Sequence, residues 1–149
     1  MASRKGAEHA SNIMGALEHA NRPLSAYDLL DKLRPTGVSA PLTVYRALDK
    51  LIASGKVHRI ESLNAFVACC AGEHHHGGRA HDAAPVRSAV AFAICDRCGH
   101  VDEFLDAQVF ARLDTSLRDK GFRPRSSAIE VHGTCADCVA LAARDGVDA

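Results

Sequence analysis

Two short cysteine pairs carry the strongest chemistry in the chain, Cys95-Asp96-Arg97-Cys98 and Cys135-Ala136-Asp137-Cys138. Thiolates are soft anions, and four of them around one ion are a preferred tetrahedral cage for zinc. A single Cys-x-x-Cys is also the pattern of a redox pair, so each pair alone leaves that reading open. Two in one small region favour a shared metal. Four protein ligands leave no position for water or substrate, which makes such a zinc structural. Of the six cysteines, Cys69 and Cys70 lie outside these knuckles. The nine histidines include the internal run His74-His75-His76, with His81 just beyond. That run reads as a ligand reservoir, a loose metal-capture loop or solvated linker. His100 and His132 stand beside the knuckles and carry no assigned role.

Catalysis has no comparable foothold. There is no His-x-x-x-His pair with a glutamate base and no nucleophile motif, so neither an enzyme nor a small-molecule substrate is expected. No apolar run approaches the roughly 20 residues that cross a bilayer. Met1 to Ala20 lacks the basic start, apolar stretch and cleavage site of a secretory leader. The expectation is a cytoplasmic protein with no membrane partner, where cysteines serve as metal ligands more readily than as disulfides. The formal net charge of zero is unevenly spread: Met1 to Ala68 holds nine Lys/Arg against six Asp/Glu (+3), and Cys69 to Ala149 nine against twelve (−3). A mildly basic front half permits a nucleic-acid partner without arguing for one.

The elements that must position these residues follow from apolar periodicity. Ile13, Ala16, Leu17 and Ala20 recur at helical spacing within Ala7 to Ala20, before Arg22-Pro23 breaks the pattern. Ser25 is an N-cap for a second helix with Leu29, Leu30 and Leu33 on one side, ended by Pro35 and Gly37. A third helix spans Ala40 to Ser54, with Val44, Leu48, Leu51 and Ile52 as its expected buried stripe. Two strands around a tight turn follow, Lys56 to Glu61 and Ala65 to Cys69. Three helices and a hairpin make a winged helix-turn-helix, although a helical bundle with an incidental hairpin has the same local pattern. Residues 71–87 are rich in Gly, His and Ala and read as a linker. Beyond it come strands at Val90 to Ile94, Val101 to Phe104 and Ala128 to His132, with a helix from Asp106 to Lys120 that puts Val109, Leu113 and Leu117 in register. The expected class is α+β, with a DNA-binding domain over 1–70, a hinge over 71–87 and a small α/β domain over 88–149. A unit of the latter size buries little core, so it needs a staple, a partner subunit, or both.

Several separated segments share one resemblance. Thr43-Val44-Tyr45-Arg46-Ala47-Leu48, then Ile94-Cys95-Asp96-Arg97-Cys98-Gly99, then Ile129-Glu130-Val131-His132-Gly133-Thr134-Cys135 resemble the ferric-uptake-regulator family in the same order over nearly the whole chain. Ser25 to Asp31 and Val57 to Ser62 are similar to its zinc-uptake branch in particular. The resemblance implies a homodimeric, zinc-responsive repressor of zinc-uptake genes that binds double-stranded operator DNA, with the second domain serving dimerisation. It implies about two zinc ions per subunit: one on Cys95, Cys98, Cys135 and Cys138, and one regulatory. For the regulatory ion it points to His58, Cys69 and Glu103, and to a further histidine, with His81 favoured over His74, His75 and His76. For DNA it points to Tyr45 and Arg46, and to Tyr27 in the zinc branch. Imidazole, thiolate and carboxylate together suit zinc. An iron or peroxide sensor of the same family is the alternative, opposed by the Cys69 thiolate, and a zinc hydrolase or metallochaperone is a more distant one. Arg46 either reads guanine through its planar fork or neutralises phosphate, and Tyr45 either touches DNA or packs on the wing.

Overall fold

The computed structural model describes residues 4–20, 22–69 and 89–145. The chain divides into two compact units, Met1–His75 and His76–Ala149. The fold is α+β: a winged helix in the first unit and a small mixed sheet with two helices in the second.

The first unit builds from three helices, α1 (Arg4–Glu18), α2 (Ala26–Leu33) and α3 (Pro41–Ala53), and a hairpin of β1 (Val57–Ile60) and β2 (Ala65–Ala68). A reciprocal capping box starts α2. The Ser25 hydroxyl accepts from the Asp28 N–H at 3.1 Å, and the Asp28 carboxylate accepts from the Ser25 N–H at 2.9 Å. These bonds satisfy amides the helix itself leaves open. The Ser25 hydroxyl and then its backbone N–H hold the Asp28 carboxyl below its ordinary value. A short 3-10 turn, Arg34–Thr36, unwinds α2, and Gly37 at φ 87° ends it in a left-handed conformation that only glycine takes without strain. Ile13, Leu17, Leu29, Leu33, Val44, Leu48 and Phe66 close one continuous core.

Two details differ from the sequence reading. Ile52 is 37% exposed, while Ala47 is buried with Val44, Leu48 and Leu51. At about 100° per residue, position 52 lies roughly 80° from Val44 on the far flank of the stripe, whereas position 47 lies some 60° to the other side. The hairpin also gains a third segment: Leu24 and Phe66 exchange hydrogen bonds of 3.0 and 2.8 Å, tying the α1–α2 connection to β2.

The second unit has a three-stranded sheet in the order β4-β3-β5, from β3 (Ala89–Cys95), β4 (Val101–Phe104) and β5 (Ser127–Gly133). The central β3 pairs antiparallel with β4 and parallel with β5, the crossover between β4 and β5 running through α4 (Ala107–Asp119). Asp106 caps α4, accepting from the N–H groups of Gln108 and Val109. The expected Val109, Leu113 and Leu117 stripe is present on α4, yet no residue of that helix is buried. A last helix, α5 (Ala136–Asp145), was not expected from the sequence; it begins inside the second knuckle and buries Cys138 and Ala142, one turn apart. No helix among the described residues is long and apolar enough to cross a membrane.

Candidate metal centre and nucleic-acid face

The second unit places the two knuckles side by side because β3 and β5 run parallel and in register, with Cys95 opposite Gly133. The first knuckle therefore starts at the end of β3 and the second just past the end of β5. One donor atom from each of Cys95, Cys98, Cys135 and Cys138 lies within 4.8 Å of the others. The Cys98 and Cys135 sulfurs are 3.7 Å apart. A disulfide needs about 2.05 Å, whereas tetrahedral zinc with Zn–S near 2.3 Å spaces its sulfurs by about 3.8 Å. The donor set and its spacing thus fit zinc.

Electrostatics in the cluster point the same way. The Cys135 N–H donates to the Cys95 sulfur at 3.3 Å, and this bond leads those that lower the Cys95 thiol from 9.0 to about 6. Cys138 goes up to about 12, chiefly through its contact with the Cys135 thiol, followed by burial. One sulfur ionises readily and a neighbour then resists, since several thiolates without a cation repel each other. A divalent ion relieves that repulsion.

Around the cysteines the structure assigns contacts that sequence reasoning missed. Asp96 and Arg97, the residues inside the first knuckle, bond to His132 and to the Cys138 carbonyl. His100 reaches Asp102 at 3.1 Å. The only sequence signal for these contacts was adjacency to the knuckles.

In the first unit, His58 lies on β1 opposite Val67, and the Cys69 N–H continues the ladder by donating to the Lys56 carbonyl at 2.9 Å. His58 and Cys69 are then diagonal neighbours across the hairpin, and a ring nitrogen of one and the sulfur of the other come within 4.8 Å. Glu103 belongs to the second unit, on β4 opposite Phe92. Cys70, His74, His75, His76 and His81 lie outside the described residues.

The helix α3 presents Tyr45 and Arg46 to solvent, and Tyr27 near the start of α2 is 67% exposed. An exposed tyrosine at that level contributes little to the core. Leu42 and Tyr45 of α3 in the same unit are exposed large side chains too.

The model of the ferric uptake regulator family matches residues 4–132. The chain belongs to that family. It is similar to the zinc uptake regulation protein of Escherichia coli (strain K12), 42% identical over 121 residues that make up 80% of this chain and 64% of that relative. The chain therefore spans less than two thirds of that curated relative's length. Among solved structures, a zinc uptake regulator complexed with zinc and DNA is 36% identical with a TM-score of 0.76, covering 91% of this chain and 83% of that one. The crystal structure of holo XcZur is 41% identical with a TM-score of 0.73, covering 89% and 84%.

Proposed function

We propose that this chain is a zinc-responsive, DNA-binding transcriptional repressor of zinc-uptake genes, acting in the cytoplasm as a homodimer on double-stranded operator DNA. The observation that carries the reading is the meeting of a His58 nitrogen and the Cys69 sulfur at the base of the wing, in the same unit as α3. A mixed nitrogen and thiolate pair suits zinc over the harder cations. Similarity to a zinc uptake regulation protein and to a zinc uptake regulator solved in complex with zinc and DNA supports the same reading. In this proposal each subunit carries two zinc ions. The four knuckle cysteines hold one that is structural; His58, Cys69, Glu103 and a histidine of 71–87, favoured as His81, hold the regulatory one.

The chain's own residues would then act as follows. Arg46 and Tyr45 on α3 enter the major groove, with Tyr27 supporting them from α2. The regulatory ion binds one arrangement of the subunit more tightly than others and so enriches it, and operator DNA selects that same arrangement. The α4 stripe, with Val109 exposed and Leu113 and Leu117 half-buried, suits a partner subunit. An iron or peroxide sensor is disfavoured by the Cys69 thiolate, and no residue set here favours a metallochaperone.

The test is a promoter fragment from a zinc-uptake gene, shifted on a gel by zinc-loaded protein. Chelated protein should leave it free, and ferrous iron should not substitute. Binding that ignores metal would reject the reading. Arg46→Ala should cost about 1 to 3 kcal/mol on operator if it reads a base. Equal weakening on operator and random DNA would make it a phosphate contact.

A further inference from the structure

The first knuckle has two residues besides its cysteines: Asp96 reaches the end of β5, just ahead of the second knuckle, and Arg97 reaches the second knuckle itself. The Asp96 N–H donates to the Gly133 carbonyl at 2.8 Å, and the Asp96 carboxylate accepts from His132 Nδ1 at 2.8 Å. Arg97 Nη1 donates to the Cys138 carbonyl at 3.1 Å. In return, the Cys135 N–H donates to the Cys95 sulfur at 3.3 Å. These bonds join segments that are distant in sequence, since Gly99 to Thr134 separates the knuckles. Resting on the reading of the four cysteines as a zinc site, we propose that Asp96 and Arg97 are positioning residues that clasp the second knuckle against the first, and that this clasp governs how fast the zinc leaves.

The argument is kinetic. A four-thiolate site loses its ion by shedding ligands in succession, and after each loss the sulfur either returns or drifts away. Without a clasp, the freed Cys135 to Cys138 segment has to find its place again at the end of a long chain loop, with the entropy that loop closure costs. With the clasp, it stays beside the ion. Arg97 adds a second effect, because a zinc bound by four thiolates is a net negative centre that a guanidinium nearby favours. Lysine keeps the charge but carries its donors on a flexible stem in place of a planar, pre-organised head.

The experiment uses the whole zinc-loaded protein, challenged with an excess of a coloured zinc chelator, and follows zinc release with time. Arg97→Ala should release the resistant ion about ten to a hundred times faster, the affinity loss typical of removing an outer partner being taken up in the off-rate. Arg97→Lys should fall between Arg97→Ala and the parent, and it carries the test should Arg97→Ala not fold. Asp96→Ala should also accelerate release. Arg118→Ala, which breaks an ion pair of 2.7 Å to Asp114 within α4 of the same unit, should release at the parent's rate. Release from Arg97→Ala and Arg97→Lys at the parent's rate, or equal acceleration by Arg118→Ala, would overturn the clasp and leave the zinc site standing. A parent with no chelator-resistant zinc would overturn the site and the clasp together.

Discussion

The two units solve the same problem of stability by different means. The winged helix closes around its own side chains: Ile13, Leu29 and Val44 are fully shielded, and helices and hairpin contribute to one core. The second unit shields little beyond β3 and the start of α5. It leaves Phe104, Leu105, Val109, Phe122, Val131, Val139 and Leu141 exposed. Apolar burial supplies most of the stability of a small domain, so the first unit is expected to hold by packing. The second depends on its thiol cluster and on further cover. Under the proposed function the difference would also separate duties, because a winged helix that keeps its shape without the knuckle metal could be controlled by a second ion elsewhere.

The largest way to break this contrast is at the knuckles. Cys135→Ser removes a thiolate that serine cannot replace, and apparent binding free energies of structural zinc run to about 10 kcal/mol or more in small units. The second unit should lose its zinc and its amide-exchange protection, and dimer mass should fall. The first unit should not respond. Tyr27 and Tyr45 are the two tyrosines of a chain without tryptophan, so tyrosine emission reports on the first unit alone and should be unchanged.

The reverse break is next in size. Leu48→Ala empties a position that is 1% exposed in the first core, and such truncations cost about 2 to 5 kcal/mol. Denaturant midpoints read by tyrosine emission should fall with or without zinc, while the knuckle zinc stays chelator-resistant. If chelation shifts the tyrosine midpoint as much as the mutation does, the units are not stabilised separately.

The smallest effect sharpens the account of the first unit. Ser25→Ala removes the cap of α2 and should cost about 1 kcal/mol. Its pH dependence has a definite sign. Asp28 is held below 3.8 in the folded state, so its contribution is present above the unfolded value and is lost as pH falls through the lower folded one. The stability gap between parent and Ser25→Ala should therefore narrow in acid, and a gap that widens would contradict the capping box.

Much of this arrangement was legible before the structure, for reasons that are local. The Ser25 cap, the Gly37 stop and the leucines of α2 depend on neighbours within a turn or two, and so do the knuckle pairs. What escaped notice depends on distant parts. The start of α5 was hidden because Cys135 to Cys138 reads first as a metal knuckle, although Cys138 and Ala142 at one-turn spacing carried a helical signal. The Leu24–Phe66 bridge pairs residues from different elements, and the Asp96 and Arg97 contacts arise from the parallel pairing of β3 with β5, which no local pattern announces. Ile52 was misplaced because a stripe defined by its ends overlooks alanine, a small residue that packs as closely as leucine on the better-centred side. Among the candidate regulatory ligands, His58 and Cys69 are adjacent through hairpin register, a relation sequence spacing alone leaves undetermined.

The central claim is that metal at His58 and Cys69, and not at the knuckles, controls DNA binding. Its most direct test is a zinc titration of parent and Cys69→Ser with labelled operator present, with both proteins holding their knuckle zinc at the start. The account predicts that Cys69→Ser keeps its fold, dimer mass and knuckle zinc, yet needs far more zinc to bind operator or fails to bind. By linkage, operator should tighten zinc binding in the parent and lose most of that effect in Cys69→Ser. A Cys69→Ser curve that overlays the parent's would contradict the claim.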